Sequence, residues 1–69
     1  MSLELIKHNA EELLEVIDSY TVLLDKRGEE MDVDKIKEID EKIEEVKKHI
    51  SRLNLEIRDN VVEEENKLK

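Results

Sequence analysis

Two histidines, His8 and His49, are the only side chains besides carboxylates that could hold a metal ion or move a proton near neutral pH. Each has a glutamate four residues before it, Glu4 and Glu45, a spacing that puts both groups on one helix face. A zinc ion would take such a pair as two of its ligands and would still need others. Di-iron bundles use the tighter Glu-x-x-His spacing together with further inward carboxylates, and neither histidine has that arrangement. Both histidines fall beside the apolar positions, which reads as helix surface. The hydroxyls Ser2, Ser19, Tyr20, Thr21 and Ser51 have no histidine at a helical spacing that would make a nucleophile. Cysteine is absent and there is one glycine, so neither a thiolate site nor a phosphate-cradling loop can form. The expectation is no catalytic residue, no metal, no cofactor and no enzyme.

The elements that carry these residues are read from apolar spacing. Leu3, Ile6, Ala10, Leu13, Ile17, Tyr20 and Leu24 recur in alternating steps of three and four, one stripe of a helix. Leu14, Val16 and Leu23 flank this stripe and widen it. Lys26-Arg27-Gly28 ends it, with cations favouring the negative end of the helix dipole and a glycine suited to a left-handed closing residue. A second stripe runs Ile36, Ile39, Ile43, Val46, Ile50, Leu53, Ile57 between charged flanks, a narrow seam of coiled-coil type. Asp32 is its expected cap, Asp34 adds charge to the first turn, and Met31 and Ile36 are spaced as a hydrophobic staple. The pairs Glu38/Lys42, Glu44/Lys48, Glu63/Lys67 and Glu65/Lys69 have the forward spacing that supports an exposed helix.

One continuous helix would need the two stripes in phase. The first would continue through Met31, Glu38 and Glu45, whereas the second is set on Ile36 and Ile43, and neither a stutter nor a stammer repairs that offset. The chain is therefore expected to be all-α, an antiparallel two-helix hairpin over about 3–27 and 33–66, forming one domain. Folding it near residues 29–31 sets Leu24 opposite Ile36, Ile17 opposite Ile43, Ala10 opposite Ile50 and Leu3 opposite Ile57. Residues 58–69 would overhang, with Asn60 and Glu64 breaking the seam and the end free to fray. Two helices bury one seam, so the broad apolar face of Leu13, Leu14, Val16, Ile17, Tyr20 and Leu23 is expected to self-associate. A dimer making a four-helix bundle is the simplest form. Tyr20, the one aromatic residue, should pack its ring in the seam with its hydroxyl at the rim.

Charge narrows the function classes. Of 69 residues 46% are charged, twenty Asp and Glu against twelve Lys and Arg, net −8. That disfavours nucleic acid and anionic membranes, which require a basic footprint. No apolar run is long enough to span a bilayer, and Met1-Ser2-Leu3-Glu4-Leu5 lacks the basic start of a secretory signal, so a cytoplasmic location is expected. Lys47, Lys48 and Arg52 make a small basic patch diluted by Glu44 and Glu45, expected to pair within the helix.

Ile36-Lys37-Glu38-Ile39-Asp40 resembles, in its last three residues, the Ser-Gln-Glu-Leu-Asp signature of small sporulation phosphatases. Ile36 and Lys37 replace the signature's Ser and Gln, so no phosphatase activity is implied. The hairpin also resembles secretion co-chaperones and small plasmid regulators in architecture alone, which does not carry function. The expected function is a non-enzymatic protein–protein interaction module acting through helix contacts, whose partners are a second copy and a further protein. The alternative is an acidic mimic of nucleic acid. A secondary contact is expected at Val61, Val62, Glu63, Glu64 and Glu65, where an apolar pair adjoins an acidic run.

Overall fold

The computed structural model describes residues 2–68, which form two helices, α1 (Ser2–Glu29) and α2 (Val33–Lys67). They pack side by side as an antiparallel hairpin, a rod of 56 × 15 × 13 Å. Two cross-helix polar contacts set the direction. Arg27 meets Asp40 near the turn, and His49 Nε2 lies 3.3 Å from Glu12 Oε1 farther down the rod. The expected all-α hairpin is therefore the fold.

The turn differs from expectation at two points. Gly28 does not close α1: no described residue has a positive φ, and the helix runs on to Glu29. The Glu30 N–H donates to the Lys26 carbonyl at 3.0 Å, and the Glu30 carboxylate accepts from the N–H groups of Met31 and Asp32, each at 3.2 Å. A carboxylate that gathers the turn's free donors makes a left-handed residue unnecessary. The same arrangement leaves Met31 93% exposed, so it forms no staple with Ile36. Asp32 does cap α2, with extended backbone (φ −79°, ψ 119°) and its Oδ1 accepting from the Asp34 N–H at 2.9 Å.

On α2 the seam is the expected one. Ile36, Ile39, Val46, Ile50 and Ile57 are half-buried, and Ile43 and Leu53 are buried. On α1 the seam is rotated from the expected stripe. Ile6, Asn9, Leu13, Val16, Tyr20 and Leu23 are the covered heptad rows, while Leu3, Ile17 and Leu24 are exposed and Ala10 lies half-buried at the margin. Both stripes obey three-and-four spacing and share Ile6, Leu13 and Tyr20. They differ in whether 9, 16 and 23 or 10, 17 and 24 complete the seam. The rotation brings Asn9 into the seam, only 4% exposed, with no hydrogen-bond partner for its Nδ2 among the described residues.

The far end also departs from expectation. Asn60 remains half-buried, so the seam passes Arg58 by almost one turn before the overhang begins. α1 starts at Ser2, one residue earlier than expected. α2 continues as helix through Lys67. Lys47 pairs with Glu44 and Lys67 with Glu64, each at 3.4 Å and three residues apart, so Glu44 does not take the expected Lys48. The expected Glu65/Lys69 pair involves a residue outside those described.

Candidate functional site

His49 finds its carboxylate on the other helix, at Glu12, where each side chain keeps about two-fifths of its surface. The i,i+4 glutamate, Glu45, is therefore not the partner in this contact. His8 lies along a shallow groove of α1 with Glu11, Glu12 and Glu15. Among the described residues no three His, Cys, Asp or Glu side chains are grouped to hold a metal ion. Ser19 and Thr21 donate their hydroxyls back to the carbonyls of Glu15 and Ile17, at 3.3 and 3.1 Å, the usual use of a mid-helix hydroxyl. Arg27 lies against Asp40, and its proton affinity is displaced by that contact. Its hydrogen bond to Asp40, and then the attraction of that charge, raise its pKa, with slight opposition from desolvation.

The surface that stands out is apolar. The residues expected to self-associate divide between two faces of α1. Leu13, Val16, Tyr20 and Leu23 are half-buried in the seam with α2, whereas Leu14 (64% exposed) and Ile17 face outward. The correction follows from the rotation, which turns Val16 and Leu23 inward and releases Ile17 and Leu24. What remains outside is a second row at heptad spacing. Leu3, Ala10, Ile17 and Leu24 occupy one set of positions, and Lys7, Leu14 and Thr21 the other. It is the arrangement of a helix with two seams, one used and one open.

The two borders of this open stripe carry different electrostatics. On the hairpin side a groove of about 450 Å³ is lined by Tyr20, Leu24, Arg27, Asp40, Ile43, Glu44 and Lys47. Its charges are matched in pairs, Arg27 with Asp40 and Lys47 with Glu44. On the outer side run Glu4, Glu11, Asp18 and Asp25, each seven residues from the next and all exposed. None of these four has a hydrogen-bond or ion-pair partner among the described residues. One border is neutralised and the other is bare anion.

The total exposed area is large for the mass. The chain presents 5699 Å², while a compact monomer of its 8.2 kDa mass is expected to present about 4,500 Å². The excess follows from the rod shape of a two-helix hairpin, which leaves much of each helix uncovered.

At the far end Val61, Val62, Glu63 and Glu65 are exposed, and Glu64 is half-buried beside Lys67. Val61 and Val62 are exposed apolar residues there, with the exposed Leu55 and Leu68 seven residues from Val62 and Val61. Leu3, Ala10, Ile17 and Leu24 were present in the chain as apolar residues seven apart, with Leu14 between two of them. Their acidic neighbours, also seven apart, were the signal that could have marked the row as an edge. No protein-family model matches the chain, and no curated protein and no solved structure matches it significantly. No helix among the described residues is long and apolar enough to cross a membrane.

Proposed function

We propose that this protein is a non-enzymatic interaction module that presents α1 of its hairpin to a helix of another chain. The observation that carries the reading is the open heptad row of Leu3, Ala10, Leu14, Ile17 and Leu24, separate from the seam that holds the hairpin together. An incoming helix laying its own apolar row along this one would bury side chains worth about 1.5–3 kcal/mol each when fully covered. Regulator, adaptor and assembly factor are all roles that such a surface serves.

A photo-crosslinking side chain at Ile17 tests the reading in cells that express the protein naturally. The expected result is a covalent product of discrete mass from position 17 and none from Glu45, on the back of α2. No product from position 17, or equal products from both positions, would reject the open row as an interaction surface. Replacing Leu14 and Ile17 by Glu should abolish binding while leaving the hairpin helical, because neither side chain belongs to the seam.

A further inference from the structure

The open row on α1 specifies a partner by charge as well as by shape. In a helix pair, residues beside the apolar rows face the partner's flanks and determine which partner is accepted. Here the flank is Glu4, Glu11, Asp18 and Asp25, four carboxylates without a single cation among them. They stay unpaired although lysines and arginines elsewhere on the hairpin find acids.

A second copy of this chain fits poorly. Two α1 helices packed antiparallel along this row would set each acidic flank against its twin, adding repulsion to two bodies already at net −8 each. An unrelated neutral helix would leave the carboxylates unmatched. A helix with a cationic flank meets all four. Lys7 interrupts the row near its start, so the contact is centred on Ala10 to Leu24, about 22 Å of helix, with Glu11, Asp18 and Asp25 at its edge. Ala10, with its small side chain, permits close approach at one end of this stretch.

We propose that the open row of α1 docks a cationic amphipathic helix, with leucine-type residues on Ala10, Leu14, Ile17 and Leu24 and a Lys or Arg row against Glu11, Asp18 and Asp25. This rests on the interaction-module reading and names the chemistry of its partner.

The probes are synthetic peptides of roughly 28 residues with Leu at the a and d positions, one carrying Lys on its flanks and one carrying Glu. A third peptide has the composition of the Lys peptide in scrambled order. Binding to the full chain is read by fluorescence anisotropy. The Lys peptide should bind at least about tenfold more tightly than the scrambled peptide, and the Glu peptide should not bind measurably. Reversing Glu11, Asp18 and Asp25 to Lys should invert the preference toward the Glu peptide. Reversing Glu38, Glu45 and Asp59 to Lys makes the same change in net charge on the back of α2 and should leave the preference intact. Circular dichroism checks that both variants stay helical.

Equal binding of ordered and scrambled peptides, or equal effects of the two reversals, would overturn the proposal by showing attraction to net charge alone. Sedimentation of the protein alone as a dimer that loses its dimerisation with Leu14→Glu would also overturn it. That result assigns the row to a second copy and leaves the interaction-module reading standing. Failure of the Ile17 crosslink removes the module reading itself, so the two can be told apart.

Discussion

Arg27 and Asp40 join the two helices beside the turn through a side-on ion pair, Nε to Oδ1 at 2.5 Å and Nη2 to Oδ2 at 3.5 Å. The pair spans thirteen residues of chain and holds the last turn of α1 against the second turn of α2. Both side chains remain about half exposed, so water and salt screen the attraction. Its value lies in geometry: a planar guanidinium fixes an orientation that a lysine would not.

The raised pKa of Arg27 has a definite sign for stability. A group whose folded pKa is raised contributes fully below its unfolded value and loses that contribution only as pH climbs through the folded one. For arginine that window lies far into the alkaline range. The stability difference between the native chain and Arg27→Gln should therefore be the same at about pH 6 and about pH 9, and should shrink in about 1 M salt, where charges are screened within about 3 Å. Thermal melts of both proteins decide it. A difference that vanishes between those pH values would mean the guanidinium is not the group responsible.

Gly28→Ala should stabilise the hairpin by about 0.5–1 kcal/mol. Gly28 lies inside α1 without positive φ, and a methyl group there would meet nothing within 4 Å. Alanine would then remove backbone entropy from the unfolded chain at no steric cost. Urea titration should show a higher midpoint at unchanged slope. A destabilised variant would imply that the glycine takes the left-handed conformation in solution.

Asn9→Leu should also stabilise, by about 1–3 kcal/mol, because it removes a buried amide donor without a partner and adds apolar contact in the seam. A single polar residue in an apolar seam serves to fix register, so the same variant should show broader amide signals if register slips. Loss of stability would instead mean that the Nδ2 group is hydrogen-bonded in solution.

Leu23→Ala and Leu14→Ala separate the two stripes of α1. Leu23 lies in the seam and its truncation should lower stability by about 1–2 kcal/mol, at the low end for core leucines because the site is half-buried. Leu14 stands outside, and its truncation should change stability by less than about 0.5 kcal/mol. The opposite ranking in chemical denaturation would restore the stripe through Ile17 and Leu24 as the hairpin seam.

The helices, their break, the Asp32 cap and the α2 seam are properties of the sequence by itself. They depend on local chemistry: spacing of apolar residues, a carboxylate before a free N–H, and two stripes out of phase. The Glu30 turn was not readable in this way, because a glycine two residues earlier gave the more familiar closing signal. Which face of α1 meets α2 was decided only by the tertiary structure. A helix turns through 3.6 residues, so Ile6, Leu13 and Tyr20 form a seam equally well with 9, 16 and 23 or with 10, 17 and 24. Apolarity alone favours the second choice, since it keeps Asn9 out. The first choice turns Glu4, Glu11, Asp18 and Asp25 directly away from α2, and in a chain of net −8 that places the one wholly acidic row farthest from the carboxylates of the other helix. Which of two nearly equal local patterns forms the seam is settled only with both helices in place, where Arg27 reaches Asp40 and His49 reaches Glu12 across it.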